Sequence, residues 1–251
     1  MKILAMSDQH GYLPQVPECD LLLVAGDNCP DYPKKARVRV GSGPQVREQF
    51  DWFFKSWLSW VDDQPVQRCV ATWGNHDYCG EDIHRHAHRM LEGPAAQLAA
   101  ALPFEPVVDL GIVTTVADGL REIGELGIWL TPWSSQYMDW AWMSDDDALR
   151  ARYDAIPVGV DILVSHQPPR GHCDEPGATG GGVSLIGRTE LEHIGSRALL
   201  DAIRRVKPRA VICGHIHGGH RRSRVGKTEI YNVSLLNEVY ELIREPVEIV
   251  L

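Results

Sequence analysis

The stretch KILAMSDQH, residues 2–10, decides the fold of this chain, because a short apolar run ends directly in polar side chains that can bind metal ions. The same pattern recurs at LLLVAGD (21–27), RCVATWGNHD (68–77), DILVSH (161–166) and AVICGHIH (210–217). Short, nearly continuous apolar runs are typical of strands that are buried on both faces. The chain is therefore expected to form an α/β structure with parallel strands.

Side chains that can ligate a metal follow each of these runs. An open α/β sheet binds ligands outside the carboxyl ends of its strands, so we expect these side chains to meet there. The seven candidate metal ligands are Asp8, His10, Asp27, Asn75, His166, His215 and His217. His76 lies among them without a defined role at this point. The set offers oxygen and nitrogen but no thiolate, which favours manganese, iron or zinc in a site that is not a structural Cys-rich one.

The spacing of the candidates suggests how they converge. In an extended segment, residues two apart point the same way, so Asp8 and His10 should project together, and so should His215 and His217. Glycines at positions 26, 74 and 214 permit a sharp backbone turn at the end of a strand.

Length and composition limit the class of protein. With 251 residues the chain is long enough for one large domain, which we expect to cover residues 1–251. The net charge of −9 argues against bulk binding to nucleic acid or to an anionic membrane. The six cysteines form no CxxC pair, there is no signal-peptide pattern, and no apolar run reaches membrane-spanning length. These features favour a cytoplasmic protein with free thiols.

Other segments show clear periodicity. An apolar stripe from Phe50 to Val61 predicts a helix that packs on the core, and short strands are expected between Val107 and Thr131 and again after Arg221. Further helices are predicted over Glu81–Ala101 with a break near Gly93-Pro94, within Asp145–Ala155, and from Ser196 to about Lys207. Loops are expected over Pro30–Pro44 and over the Gly-rich stretch Pro168–Gly187.

The ordered motifs resemble the calcineurin-like metallophosphoesterases, whose pattern is D-x-H, GD, GNH[DE], H and GHxH. Here these are DQH (8–10), GD (26–27), GNHD (74–77), His166 and GHIH (214–217). The stretches GIWLTPWS (127–134) and SHQPPRGHCD (165–174) are similar to the small single-domain phosphodiesterase branch of that family. The resemblance therefore covers most of the chain.

The resemblance implies a fold, a cofactor and a ligand assignment. The implied fold has two mixed β-sheets packed as a sandwich and flanked by helices, in four layers. Two divalent transition-metal ions are implied, with manganese favoured and iron or zinc possible. One ion would be held by Asp8, His10, Asp27 and His217, and the other by Asp27, Asn75, His166 and His215, so that Asp27 bridges them.

The resemblance also implies a hydrolytic mechanism. Two ions with a shared carboxylate supply a bridging hydroxide as the nucleophile toward a phosphoryl group. His76 would stabilise the developing charge or protonate the leaving oxygen, and Asp77 would hold its imidazole. These two residues are the catalytic candidates.

The substrate is expected to be a small or nucleotide-like phosphodiester. Phosphoprotein phosphatases of the same superfamily carry an Arg shortly after GD and another just before GNHE. Here the stretches GDNCPD (26–31) and WGNHD (73–77) carry neither. A phosphomonoesterase or protein phosphatase and a nuclease-type subunit remain alternatives, as does a binding protein that keeps the metals without turnover. The oligomeric state is not indicated.

Two basic stretches have ordinary interpretations. The run HRHAHR (84–89) predicts three histidines, His84, His86 and His88, on a solvated helix face. The run RRSR (221–224) predicts a solvated hairpin strand, with a contact to substrate phosphate or leaving group as the alternative.

Overall fold

Two six-stranded mixed sheets form the framework of the computed structural model, which describes residues 1–31, 43–86, 105–177 and 193–251. The first sheet has the order β14-β1-β2-β3-β5-β4, with β1, β2, β3 and β5 parallel and with β14 and β4 antiparallel at its edges. Its strands are β1 Ile3–Met6, β2 Leu21–Ala25, β3 Cys69–Thr72, β4 Val107–Leu110, β5 Val113–Val116 and β14 Val247–Ile249.

The second sheet has the same mixed character, in the order β12-β13-β11-β10-β7-β6. Strands β7, β10, β11 and β13 run parallel, and the edge strands β6 and β12 are antiparallel. Its strands are β6 Gly119–Ile123, β7 Leu126–Thr131, β10 Ile162–Ser165, β11 Ala210–Cys213, β12 Arg222–Val225 and β13 Thr228–Asn232. A separate two-stranded parallel sheet, β8 Ser134–Ser135 and β9 Met143–Ser144, follows β7 along the chain.

The described helices begin close to where the sequence predicts, while the end predicted at Ala101 lies outside the described residues. They are α1 Gly43–Trp52, α2 Leu58–Asp62, α3 Cys79–His86, α4 Asp146–Asp154 and α5 Arg197–Val206, with a π-helical turn Phe53–Trp57 joining the first two. The hydroxyl of Ser196 accepts a hydrogen bond from the N–H of Leu199, and Lys207 adopts a left-handed conformation before Pro208 ends α5.

Three apolar clusters establish the layer order. Alternate residues of β1 and β2, such as Ile3 and Leu23, pack against β10 and β11 residues such as Val164 in a core between the two sheets. The opposite face of the first sheet packs on the segment from α1 to α2, through residues such as Trp57 of the π-helical turn and Val61 of α2. The opposite face of the second sheet packs on α4 and α5. The helix, sheet, sheet, helix sandwich expected from the resemblance is confirmed.

The structure also refines the predictions for single segments. The aromatic stripe of α1 and α2 is a packing face, since Phe53, Trp57 and Val61 are fully buried. The strands between Val107 and Thr131 divide between the two sheets, with β4 and β5 in the first and β6 and β7 in the second. Of the helix predicted over Glu81–Ala101, the structure describes only α3. The predicted break near Gly93-Pro94 lies outside the described residues, and so does His88. Parts of the two predicted loops, 32–42 and 178–187, lie outside them too.

His84 is a correction to the prediction of a solvated helix face. Its side chain is fully buried, and its Nδ1 lies 2.5 Å from the carbonyl oxygen of Glu105. Burial lowers the pKa of His84 to about 4, so the ring is neutral at neutral pH. Sequence periodicity missed this because α3 packs against Trp73 and Trp142, which lie on other segments.

The basic stretch forms a solvated hairpin strand, as predicted, and the structure places this strand at the edge of the second sheet. Strand β12 pairs with β13, Arg224 bonds Glu229 across the pair, and Arg221 forms an ion pair with Glu175 at 2.9 Å. Within the described ranges, no helix is long and apolar enough to cross a membrane.

Candidate metal centre

The candidate ligands meet at one edge of the sandwich, because parallel strands of both sheets end there. Asp8, Asp27 and Asn75 follow β1, β2 and β3 of the first sheet, while His166 and His215 follow β10 and β11 of the second. The N–H of His215 donates to both carboxylate oxygens of Asp8, at 3.0 and 3.1 Å, which connects the ends of the two sheets.

One group of ligand atoms comes from Asp8, His10 and His217, all within 4.8 Å of one another. The Nε2 of His217 lies 3.3 Å from Oδ1 of Asp8. Its Nδ1 lies 2.8 Å from the carbonyl oxygen of Asn237, which orients the ring with Nε2 toward the carboxylate. The hydroxyl of Ser234 donates to Oδ2 of Asp8 at 2.7 Å.

A second group comes from Asp27, His166 and His215, also within 4.8 Å of one another. The Nε2 of His166 lies 3.3 Å from Oδ2 of Asp27 and 3.0 Å from Oδ1 of Asn75. Its Nδ1 lies 2.8 Å from the carbonyl oxygen of Ala25, so this ring is also oriented by a backbone acceptor.

Asp27 belongs to the second group and also lies close to the first. Its Oδ2 is 3.6 Å from Nε2 of His10 in the first group and 3.3 Å from Nε2 of His166 in the second. Its Oδ1 accepts the backbone N–H of His76 at 2.8 Å. One carboxylate is therefore within reach of both ligand sets.

The backbone at these ligands is not extended, which corrects the alternation argument. Asp8, His10, Asp27 and His215 all have positive φ, at 57°, 43°, 53° and 66°. His217 starts a short 3₁₀ turn, and His215 and His217 join different ligand groups instead of projecting together. Four non-glycine residues in the left-handed region at one site mark a backbone that tertiary contacts hold in place.

Glycines make the close approach of these turns possible. A Cβ on Gly74 would collide with the carboxylate of Asp27 and the ring of His166. A Cβ on Gly214 would collide with the side chains of Ser7 and Asp8. The predicted sharp turn agrees with the positive φ of 96° at Gly26, whereas at Gly74 and Gly214 the reason for glycine is space.

Burial and close contacts between carboxylates and imidazoles shift the pKa values of the candidate ligands. Burial raises the pKa of Asp8 and Asp27, but neighbouring imidazoles, chiefly His217 and His166, outweigh it and bring both pKa values below the usual range. Burial lowers the pKa of His166, yet Asp27 and Asp8 raise it to about 9. His215 has a pKa lowered to about 3 by burial and by the charge of His166.

The donors fit a divalent metal ion. His10 is buried, and neither of its ring nitrogens has a hydrogen-bond partner within the described part of the chain. Buried polar atoms normally have partners, so this ring is available to a ligand that the protein itself does not supply. Buried carboxylates and imidazoles, with thiolates absent from both groups, form a mixed oxygen and nitrogen set.

Sequence reasoning missed Asp31, which lies at the edge of this site. Its Oδ1 is 2.6 Å from Nδ1 of His76, and its Oδ2 is 3.5 Å from Nδ1 of His10. Burial lowers the pKa of His76, but Asp27 and Asp31 raise it to about 9. The available signal was a second carboxylate four positions after Asp27 in GDNCPD.

The expected role of Asp77 as the partner of the His76 imidazole is therefore corrected. Its buried carboxylate accepts the backbone N–H groups of Gly74, Asn28 and Cys29 at 2.8 to 3.2 Å. Asp77 thus joins the turn after β3 to the turn after β2, and it supports both turns through their backbones.

The fold and site define the class of protein: a metal-binding α/β sandwich with ligand turns contributed by both sheets. A family model described as calcineurin-like phosphoesterase matches residues 1–219, and the chain belongs to that family. The family places it among the metal-dependent phosphoric ester hydrolases and implies divalent metal ions.

Known proteins resemble the chain over different lengths. Metallophosphoesterase domain-containing protein 1 of Homo sapiens is 31% identical, over 99% of this chain and 70% of its own length. UPF0046 protein T07D4.2 of Caenorhabditis elegans is 33% identical, over 52% of this chain, and the match spans only 30% of its own length. The crystal structure of TT1561 of Thermus thermophilus has a TM-score of 0.54 at 14% identity, covering 92% of this chain and 88% of that one, which shows a shared fold.

Proposed function

We propose that this protein hydrolyses a phosphodiester bond of a small or nucleotide-like substrate at a centre of two divalent metal ions. The observation that carries the proposal is the position of Asp27, whose Oδ2 lies within 3.6 Å of a ligand nitrogen in each of two separate groups. A carboxylate placed in this way is suited to bridge two ions.

When bound, the ions would supply the hydrolytic chemistry, because divalent ions lower the pKa of a bound water to about 7 and stabilise the charge on phosphoryl oxygens. Asp8, His10, Asp27 and His217 would hold one ion, and Asp27, Asn75, His166 and His215 the other. The oxygen and nitrogen donors favour manganese, with iron or zinc as alternatives.

His76 is the acid that we assign to the leaving oxygen. Its backbone is fixed on Asp27, and its ring is fixed through Nδ1 on Asp31. The hydrogen bond of its Nδ1 with the carboxylate of Asp31 favours a protonated ring, which would donate a proton as the ester bond breaks.

Charge supports a diester over a monoester. Asp31 adds a carboxylate at the edge of the site, and neither the stretch 26–31 nor the stretch 73–77 contains an Arg. The carboxylate of Asp31 therefore repels a monoester dianion more than a diester monoanion, and the dianion also lacks the fixed cations that would compensate its second charge. A cytoplasmic location is part of the same proposal, and the six free, buried thiols support it.

The test is a comparison of kcat/KM on matched aryl monoesters and diesters. Protein stripped by chelator is reloaded with manganese, zinc or iron, with Asp27→Asn as the control for adventitious phosphatase. The proposal expects metal-dependent activity with the larger kcat/KM on the diester. A clear monoester preference with the same metal would overturn the diester assignment, and equal rates in Asp27→Asn would overturn the site.

A further inference from the structure

A row of aromatic and imidazole rings crosses the candidate metal centre. The ring centroids are 5.0 Å apart for Trp140 and His76, 4.9 Å for His76 and His10, and 4.8 Å for His10 and Tyr240. Trp140 and Tyr240 flank the two imidazoles. Tyr240 also contacts His217 at 5.1 Å, and Tyr137 also contacts Trp140 at 5.6 Å. Trp140 and Tyr240 are both partly exposed to solvent.

The segment that carries Trp140 is anchored to the motif that carries His76. The N–H of Ala141 donates to the carbonyl oxygen of Asn75 at 3.1 Å, and the indole of Trp142 donates to the carbonyl oxygen of Asp77 at 3.1 Å. Trp142 is buried in the helix-side core of the first sheet. These two hydrogen bonds, both to backbone carbonyl oxygens next to His76, hold Trp140 in position relative to His76.

Local backbone strain accompanies this placement. Met138 and Trp142, on either side of Trp140, have positive φ of 61° and 51°. Bulky residues in the left-handed region cost free energy and persist only where the surroundings fix them. Trp142 is buried and hydrogen-bonded, which offsets the strain there. Its packing thus holds the partly exposed indole of Trp140 beside His76, where a ligand can contact it.

The position of Trp140 also indicates which part of a substrate it meets. Under the proposed function, on which this inference rests, His76 protonates the leaving oxygen of the phosphodiester. The substituent on that oxygen then lies next to His76. Two rings contact His76, and of these His10 is a candidate metal ligand, so Trp140 is the ring that is left to meet the substituent. Tyr240 is on the side of His10 and His217, next to the other ligand group.

We infer that Trp140 is a specificity-determining residue that stacks on a planar aromatic leaving group of the substrate. An indole offers a broad π-face, and stacking on it discriminates a flat ring from a puckered ring of similar size and hydrophobicity. A nucleobase and a simple aryl group share this chemistry. The proposed substrate class is thus narrowed from small phosphodiesters to phosphodiesters with an aromatic leaving group.

Binding tests the inference without requiring turnover. Methyl phenylphosphonate and methyl cyclohexylphosphonate are monoanions that resist hydrolysis, and they differ in the planarity of one ring. Calorimetry with the manganese-loaded protein is expected to show about ten-fold tighter binding of the phenyl compound. Trp140→Leu, which retains apolar bulk, should reduce this ratio to about one, and Trp140→Phe should largely preserve it.

Kinetics test which side of the substrate Trp140 contacts. Ethyl p-nitrophenyl phosphate and phenyl p-nitrophenyl phosphate share their leaving group and differ in the retained group. Trp140→Leu should lower kcat/KM on both by about ten-fold, so that the ratio between the two substrates stays unchanged. A change in that ratio would place the retained group on Trp140 and overturn the assignment to the leaving side.

The two arms separate failure of this inference from failure of the proposed function. Diester turnover that is absent with every metal refutes the proposed function, and with it the assignment of Trp140 to the leaving side. The phosphonate comparison then still decides whether Trp140 stacks planar rings. Equal binding of the two phosphonates to the wild-type protein overturns the stacking role even if diesters are hydrolysed. Metal content and thermal unfolding of each variant show whether Trp140→Leu has merely disturbed the fold.

Discussion

The carboxylate of Asp31 lies 2.6 Å from Nδ1 of His76, although 45 residues separate them in sequence. The contact gives the imidazole a fixed orientation and a partner that stabilises its protonated form. It places Asp31 where a sequence-based interpretation had placed Asp77, and it makes Asp31 the positioning residue for the proposed acid.

This pair predicts a graded loss of activity. His76→Ala should reduce kcat by roughly 10² to 10⁴, the usual contribution of a positioned acid, while metal content stays near that of the wild type. Asp31→Asn should cost about 10 to 100-fold, as expected for a residue that orients another. Steady-state kinetics and elemental analysis on the same samples check both. Loss of a metal ion in His76→Ala would show that His76 is a ligand and contradict its role as an acid.

Asp27 and His217 should differ in how much metal their variants lose. Asp27→Asn weakens a carboxylate that reaches both ligand groups, so both ions should bind less tightly, whereas His217→Ala removes one ligand from one group. Elemental analysis after dialysis against a fixed free metal concentration measures the difference. A single ion in a fully active wild-type sample would contradict the two-ion assignment.

Asp77 should be important for folding as well as for the site. In Asp77→Ala the backbone N–H groups of Gly74, Asn28 and Cys29 lose their acceptor, and buried unsatisfied donors cost about 1 to 3 kcal/mol each. We expect a loss of several kcal/mol in the free energy of unfolding, measured with urea, together with weaker metal binding. Asp77→Asn keeps one carbonyl acceptor and should lose less. Full stability of Asp77→Ala would contradict this structural role.

His84 predicts a pH dependence of stability. Its folded pKa of about 4 lies below the unfolded value of 6.5, so the unfolded chain binds more protons between these limits. The free energy of unfolding should therefore fall as the pH is lowered from about 6.5 to about 4, by roughly 2 to 3 kcal/mol from this residue. His84→Gln does not titrate, so its stability deficit at pH 7 should shrink toward pH 4.5. Urea unfolding across this range checks the prediction, and a deficit that stays constant with pH would refute it.

The sequence by itself determined the framework and the chemistry of the site. Buried apolar runs that end in Asp, Asn, His and Gly specify parallel strands with ligands at one edge, because the carboxyl ends of parallel strands meet there. This local pattern predicted that the candidate ligands meet at the ends of the strands, and the family resemblance predicted the four-layer sandwich. The capped helix after Ser196 was predicted from its own capping residue.

Only the tertiary structure decided the contacts between turns that are distant in sequence. Asp31 and not Asp77 is the partner of His76 because of how the turns after β2 and β3 approach each other. The spacing of residues along the sequence does not indicate this approach. Asp8 and His10 do join one ligand group, as predicted, but their backbone is left-handed and not extended, because hydrogen bonds to the neighbouring turn at Gly26 and Asp27 hold it. The same physical reason applies to His84, whose burial beneath Trp73 and Trp142 arises from packing between segments rather than from its own helix.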